Sequence, residues 1–434
     1  MSRASIHRSP RRAPPNAPHA RRSARRVAPA VLLSLTLMIA TPAAAAPHPH
    51  PSADASVITT WNEIAITTVT AAGTSPTAFN YFAFVHLAMY NSVVAITGEY
   101  ELYKWDGVAP KPASPEAAAA AAAHQVLEAY FGDSALRDAQ LAASLANVRN
   151  PVARANGKAF GVLAANHIIG LRSNDGRGAT VTVPTQGTDT GQWRPTGSGG
   201  FSTAWLGGVT PLAVTSTSQF APGAPPGLTD PQYLADLAEV QAIGEVGSVA
   251  APSPRTTFQS ETAKFFSDAG ILPMQRALQE LALRRGLDID DSARMFAAVD
   301  TAIADGAGTV WKAKLQYLLW RPVTAIHAAG FTGWTSFITN PPYPDWPSGL
   351  TSVVGATSMV LERLYGTVDL KITSGVAGAG PQPRHYVDRA TFVRDAVDAR
   401  VWSGIHFRFA DTAGINVGSR VANYVVDNYF QPTD

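Results

Sequence analysis

The last third of the chain contains polar and small residues of the types that bind tetrahedral or trigonal-bipyramidal oxyanions. They are Lys314, Arg321, Ser348, Gly349, Arg400 and His406. The three cations would neutralise charge on the oxygens of the anion, and amides at a helix start would add the positive end of its dipole. The histidine would supply an apical nitrogen, which can bond to a metal or attack phosphorus. If these residues meet around one small void, the sequence predicts an oxyanion site.

The first segment of this set places two cations seven residues apart. Lys314 lies within an apolar helical pattern predicted from 290 to 320, and Arg321 follows it directly. At 100° per residue, both side chains lie on one helical face, two turns apart. We expect Pro322 to end this helix. Taken alone, the pattern also fits two surface cations whose stems extend along an amphipathic helix.

The second segment follows a proline-rich turn at 341–347. Ser348 and Gly349 stand directly before and at the start of a predicted apolar helix, 349–365. The serine can cap this helix, and the glycine lets an anion approach the backbone amides. An ordinary serine cap after a proline turn is the alternative interpretation.

The third segment lies on a predicted last helix, 391–428. Arg400 and His406 stand there among large apolar neighbours. A core histidine with its hydrogen bonds satisfied, and an arginine that serves only as an ion-pair partner, are the alternatives. The three segments together therefore carry the oxyanion prediction, because each of them alone has an ordinary structural explanation.

The order and internal spacing of the three segments resemble the signature blocks of vanadium-dependent haloperoxidases and type 2 phosphatidic acid phosphatases. The blocks read K-x6-R-P, P-S-G and R-x5-H here, and the likeness runs from about 58 to 430. Further segments resemble the bacterial secreted branch of that superfamily. They are Gln192-Trp193-Arg194-Pro195, Tyr343-Pro344-Asp345-Trp346 and Gly404-Ile405-His406-Phe407-Arg408-Phe409. The resemblance implies an all-α protein with a helical-bundle core.

The resemblance also implies vanadate as the cofactor, although phosphate fits the same pocket. His406 would be the vanadate ligand, and so the metal-binding residue, or the phosphohistidine nucleophile of a phosphatase. The non-bridging oxygens would be bound by Lys314, Arg321, Ser348, Gly349 and Arg400. Lys314 would be catalytic with His406, because it would polarise the bound peroxide. Trp311 matches a position near the halide site of some haloperoxidases.

Two departures from the family pattern affect turnover more than anion binding. The family motif P-S-G-H carries a general acid–base histidine where this chain has Leu350, and the loss of such a group typically costs about 10²–10⁴ in rate. The aspartate that often follows the ligand histidine by four residues is replaced by Ala410, with Asp411 one position later. The candidates for a substitute proton carrier are His385, which we prefer, His327 and Asp345.

Several functions are compatible with these residues. The leading one is a haloperoxidase that oxidises halide with hydrogen peroxide at vanadate bound to His406. The runner-up is an acid phosphatase that uses His406 as a nucleophile on a phosphate ester. A third is an oxyanion-binding family member that has lost turnover, and a different reaction on the same scaffold remains open. The expected partners are in each case small molecules.

The composition supports a large helical protein. Hydrophobic residues make up 46% of the 434 residues and charged residues 15%. Alanine is abundant and strand-like alternation is scarce, which favours helices around a sizeable core. The chain has no cysteine, which excludes disulfides, thiolate metal sites and cysteine nucleophiles. The Gly/Pro-rich stretch at about 175–228 predicts a long irregular excursion, which we expect to be ordered because aromatic residues are spaced along it.

The N-terminus predicts export. Residues 1–26 hold eight arginines, residues 27–40 are apolar, and small residues follow. This is the pattern of a signal peptide, with cleavage near Ala45. The predicted segments are a signal peptide at 1–45, a disordered spacer at 46–57 and a single helical domain at 58–430.

The mature chain is expected to be acidic. Without the eight arginines it has 26 basic and 32 acidic residues, a net charge of −6, which gives no basis for nucleic-acid binding. The apolar run is too short for a comfortable membrane span. We therefore expect a secreted or extracytoplasmic protein with no stable membrane anchor after cleavage; an uncleaved anchor is the alternative. The export route and the oligomeric state stay open, a homo-oligomer included.

Overall fold

The computed structural model describes residues 54–73, 76–184, 187–197, 199–248, 251–268 and 270–433. The predicted signal peptide, residues 1–45, and most of the predicted spacer lie outside the described residues. The first helix begins at Ser56, so the last two residues of the predicted spacer, 46–57, are helical.

The described residues fold into thirteen α-helices and one short hairpin, which confirms the all-α prediction. The helices are α1 (Ser56–Ala71), α2 (Ala78–Thr97), α3 (Pro115–Phe131), α4 (Ala135–Ala146), α5 (Pro151–Leu171), α6 (Pro231–Ile243), α7 (Thr257–Phe265), α8 (Ile271–Arg285), α9 (Ile289–Tyr317), α10 (Pro322–Ala328), α11 (Gly349–Tyr365), α12 (Arg389–Trp402) and α13 (Arg408–Asn428). The hairpin pairs β1 (Leu370–Ile372) with β2 (Arg384–Tyr386) in antiparallel register, at the two ends of a stretch predicted as loop.

Local sequence signals set several helix starts. The hydroxyl of Ser114 accepts a hydrogen bond from the amide of Ala117 (3.0 Å), and Pro115 is the first helical residue, as the sequence predicts for α3. The alanine run of α3 is buried, and it packs against α2 and α5. Small side chains allow this close helix packing.

Helix α2 is apolar on nearly all sides because it lies in the core. Its residues from Ala78 to Val94 are buried except Tyr81. By length and composition α2 is the one helix among the described residues that could cross a membrane. Its burial in the bundle accounts for that composition.

Helix α9 packs against helices from both the N-terminal and the C-terminal parts of the chain. It packs against α2 of the N-terminal group as well as against α11 and α13, which pack closely on each other. Its C-terminal end carries Trp311 and Lys314. The long buried helix therefore gives these two side chains a rigid base.

The excursion at about 175–228 is irregular, as predicted, apart from a 3₁₀ turn at Ala204–Gly208. It does not run only over the surface, because Trp193 is 2% exposed and packs in the core. The buried carboxylate of Asp305 on α9 fixes its middle by accepting hydrogen bonds from three consecutive amides, those of residues 212–214, at 2.6–2.9 Å. Three charge-assisted bonds to one carboxylate hold the excursion against α9.

Candidate active site

The first segment does not form the single helix that the sequence predicted. Helix α9 ends at Tyr317, Leu318 has φ +45°, and Arg321 stands beyond the helix as the N-cap residue of α10. Pro322 therefore begins a helix and does not end one. Pro322 has no N–H to donate to the carbonyl of Leu318 and disfavours helical backbone at Arg321, and the amide of Trp193 donates to that carbonyl instead (2.6 Å).

The third segment also departs from the prediction, because a turn divides the expected helix 391–428 into α12 and α13. His406 lies in this turn, while Arg400 stays in the last turn of α12. Gly404 makes the turn with φ +77°, and a Cβ atom there would meet the carbonyl oxygen of Gly244 at 2.3 Å. Only glycine combines that backbone conformation with such close packing.

The second segment begins α11 at the predicted place. Ser348 holds the N-cap position and its amide donates to the carbonyl of Ala410 (3.0 Å), but among the described residues its side chain makes no capping hydrogen bond. A Cβ atom on Gly349 would stand 3.2 Å from the ring of Trp311. This places the predicted halide-site tryptophan of α9 against the start of α11.

Arg321 is the residue on which the segments converge. Its guanidinium is fully buried, with Nε donating to the carbonyl of Tyr343 (2.9 Å) and Nη1 donating to the carbonyl of Ile405 (2.8 Å). Nη1 also lies 3.1 Å from Nε2 of His406. One arginine thus contacts the proline-rich turn and the turn that carries the histidine.

Lys314 reaches the same place from α9. Its buried Nζ donates to the carbonyls of Pro344 (2.6 Å) and Asp345 (3.0 Å), and it lies 5.1 Å from the centre of the Tyr343 ring. Burial, together with the charge of Arg321, lowers the pKa of Lys314 well below its usual value. Bound negative charge would oppose this shift and favour the ammonium form.

The imidazole of His406 lies against Asp345, three residues before Ser348. Nδ1 of His406 lies 2.7 Å from Oδ1 of Asp345, and both residues are buried. Burial raises the pKa of Asp345 to about 7, although Arg321 and Lys314 oppose the shift. Burial and the neighbouring cations lower the pKa of His406 well below its usual value. The neutral ring is the form that can ligate a metal or attack phosphorus.

The sequence had offered Asp345 only as a candidate proton carrier, and Asp411 as the carboxylate next to the position of the family aspartate. Asp411 is instead associated with Arg400 and Ser348, and burial raises the pKa of Asp411 well above its usual value while these two neighbours oppose the shift. The position of Asp345 within the Tyr343-Pro344-Asp345-Trp346 segment was the available signal.

Arg400 completes the set of cations. Its Nη1 donates to the carbonyl of Phe266 (3.2 Å), and it lies near enough to Asp345, Asp411 and Tyr343 to interact with their charges. The structure thus brings all six predicted residues into one buried region. Their roles in binding and catalysis stay predictions.

Leu350 and the candidate proton carriers that could replace the family histidine at this position lie in different surroundings. Leu350 is half-buried in the first turn of α11, close to Gly270, where a Cβ atom would lie 2.6 Å from its Cδ1. His385 is on the exposed hairpin and lies 2.7 Å from Asp369, and His327 bonds to the carbonyl of Trp334. Of the three candidates, Asp345 is the one within the cluster.

The donor set fits a small oxyanion. Nη2 of Arg321 and Nε of Arg400 are buried, and each lacks a hydrogen-bond partner among the described residues. An ammonium group has three donors, and Lys314 uses two of them on carbonyls. The Asp345 carboxylate lies among these basic side chains, with its Oδ1 3.5 Å from Nη1 of Arg321. The set thus combines three basic side chains with the two buried carboxyl groups of Asp345 and Asp411.

Comparison with known proteins agrees with this geometry. Residues 294–434, which hold all six residues of the set, match the family model described as the VCPO second helical-bundle domain. This match places that region, about a third of the chain, in the vanadium haloperoxidase superfamily. This confirms the resemblance seen in the sequence.

The known members of the vanadium haloperoxidase superfamily that resemble the chain do so at low identity. Vanadium chloroperoxidase of Curvularia inaequalis is 24% identical over 192 residues, which is 32% of this chain and only 32% of that protein. The crystal structure of the first bacterial vanadium-dependent iodoperoxidase superposes with a TM-score of 0.72 at 23% identity, covering 89% of this chain and 99% of the other. Holo-type bacterial vanadium-dependent chloroperoxidase gives a TM-score of 0.65 at 16% identity, with coverages of 80% and 90%. These structures share the fold.

Proposed function

We propose that the chain is an exported vanadate-dependent haloperoxidase, which oxidises halide with hydrogen peroxide. The observation that carries the proposal is the buried contact between His406 and Asp345 beneath three convergent cations. A metal-ligating histidine almost always gives its other ring N–H to a carboxylate, carbonyl or water. Since Nδ1 lies 2.7 Å from Asp345, Nε2 would be the ligand nitrogen and would exchange its present contact with Nη1 of Arg321 for the bond to vanadium.

The cations would hold the anion through the groups that the protein leaves available. Nη2 of Arg321, Nε of Arg400 and the third ammonium proton of Lys314 are the free donors, and the start of α11 adds the amide of Gly349 and the hydroxyl of Ser348. Vanadate bound there would supply the Lewis acidity that activates hydrogen peroxide toward halide. Because the donors are buried and fixed by backbone carbonyls, they need no rearrangement as charge develops.

The proton transfer that the reaction requires is the weak point of this site. Leu350 cannot carry a proton, so we expect turnover well below that of relatives that have a histidine there. Anion binding depends on the cations and is unaffected by this substitution. The proposal is therefore an active but slow haloperoxidase.

Halogenation of monochlorodimedone or phenol red, with hydrogen peroxide and each halide in turn, tests the proposal. We expect activity that requires added vanadate and is suppressed by excess phosphate, which competes for the same donors. Rates equal to those of a vanadate-free blank would reject it. Hydrolysis of an aryl phosphate, inhibited by vanadate and without halogenation, would instead favour the phosphatase alternative.

The export part of the proposal rests on the leader sequence alone. A basic region, a short apolar region and small residues before Ala46 are the features of a cleaved signal. We expect the protein recovered outside the cytoplasm to begin at Ala46, as read by mass spectrometry of its N-terminal peptide. Recovery of the intact chain in the membrane fraction would contradict this and favour an uncleaved anchor.

A further inference from the structure

A second cluster of ligand-type side chains joins α3 to α4, outside the candidate active site. His124 and Glu128 are one helical turn apart on α3, and Asp138 is in the first turn of α4. Nε2 of His124 lies 3.3 Å from Oε1 of Glu128 and 2.9 Å from Oδ1 of Asp138. The three ligand atoms all lie within 4.8 Å of one another.

A hydrogen bond from Nε2 of His124 cannot fully satisfy both the Glu128 and the Asp138 carboxylates. One ring nitrogen carries at most one proton, yet two carboxylate oxygens converge on Nε2 of His124. The two carboxylates also repel each other at this separation. A cation between the three atoms would remove the repulsion and accept a lone pair from each.

The spacing of the ligand atoms suits a small cation. Bonds of about 2.0–2.2 Å in a tetrahedral site put neighbouring ligand atoms about 3.3–3.6 Å apart. The observed separations from Nε2 are 3.3 and 2.9 Å, which need shifts of a few tenths of an ångström, and the two carboxylate oxygens lie within 4.8 Å of each other. Side chains at helix ends can move by this amount.

The histidine ring is fixed before any ion binds. His124 is 8% exposed, and its ring packs edge-on against the buried ring of Trp61, with centroids 6.0 Å apart. The indole Nε1 of Trp61 donates to the hydroxyl of Ser144 on α4 (3.2 Å), so the same helix pair holds the supporting ring. Because packing already fixes the ring, the His124 side chain loses little conformational entropy when it binds an ion.

The side of the cluster away from the core is open to solvent. The side chain of Asp138 is 60% exposed and that of Glu128 is 24% exposed. An ion can enter from this side, and water can complete its coordination. One imidazole nitrogen with two carboxylate oxygens is a ligand set for a borderline divalent metal ion.

We propose that His124, Glu128 and Asp138 bind a divalent transition-metal ion, with zinc as the representative member of the class. The ion clamps the end of α3 to the start of α4, in a chain whose lack of cysteine rules out a disulfide for this purpose. The site is separate from the vanadate site and does not depend on the proposed haloperoxidase activity.

Calorimetric titration of the EDTA-treated, full-length protein with ZnCl2 tests the proposal. Asp138→Asn and His124→Gln each remove one ligand, and we expect either change to weaken one zinc site at least about 10-fold. The matched control is His385→Gln, because His385 also contacts an aspartate at 2.7 Å but that carboxylate is bound to Arg284. This control should bind zinc like the wild type.

Thermal unfolding gives an independent readout. Zinc should raise the Tm of the wild type and of His385→Gln, because it binds the folded state, and should raise that of Asp138→Asn less. Histidines other than His124 contribute equally to the wild type and to Asp138→Asn, and His385→Gln measures the contribution of one of them. Equal zinc affinity and equal Tm shifts in the wild type and in Asp138→Asn would overturn the proposal. Because the Asp138 side chain is largely exposed, this variant should fold even if His124→Gln does not.

Discussion

Replacement of Leu350 by histidine should increase the rate of vanadate-dependent halogenation by about 10²–10⁴, the usual contribution of a positioned general acid–base group. Residue 350 stands in the first turn of α11, directly after Ser348 and Gly349 at the start of the helix. Its side chain is half-buried beside Gly270, and a Cβ atom on that glycine would meet Cδ1 of Leu350 at 2.6 Å, so the absence of a side chain at 270 makes room for the one at 350. The measurement is kcat for monochlorodimedone halogenation with saturating vanadate.

The control for this gain is Leu350→Ala, which opens the same space without adding a proton carrier. We expect its kcat to stay near that of the wild type. An equal increase in both variants would assign the effect to access and not to proton transfer. A histidine variant that keeps the wild-type helical circular dichroism and the wild-type rate would contradict the role given to position 350.

Replacement of His406 by alanine should remove vanadate-dependent halogenation and weaken vanadate binding more than about 100-fold. The expected loss exceeds the about 10–100-fold effect of removing a partner of a metal ligand, because the ligand nitrogen itself is lost. Lys314, Arg321 and Arg400 remain, so we expect weak, phosphate-like binding of the anion to persist. Calorimetry with vanadate and with phosphate separates these two contributions.

His385→Ala is the matched control for His406→Ala, since both histidines lie 2.7 Å from an aspartate oxygen and only His406 is buried. Its activity should equal that of the wild type. Unchanged vanadate affinity in His406→Ala would remove this residue from the site. A loss of activity in His385→Ala would support the proton carrier that the sequence favoured.

The sequence by itself determined the residue types at the site and most of the helices. Helical periodicity and capping signals are local, so α3 begins at its predicted serine cap and α11 spans 349–365 as predicted. The motif spacing singled out Lys314, Arg321 and His406, because each block is a short segment whose neighbours in sequence are also its neighbours in space.

Only the tertiary structure decided how those side chains are oriented. Arg321 lies outside the helix of Lys314, where the distant Trp193 binds the carbonyl of Leu318 that Pro322 cannot bind, and His406 leaves its helix at the Gly404 turn. The partner of the His406 ring is Asp345, 61 positions away, and not a residue one turn along the same helix. Contacts between remote segments override periodicity, and a pattern of local spacing contains no record of them.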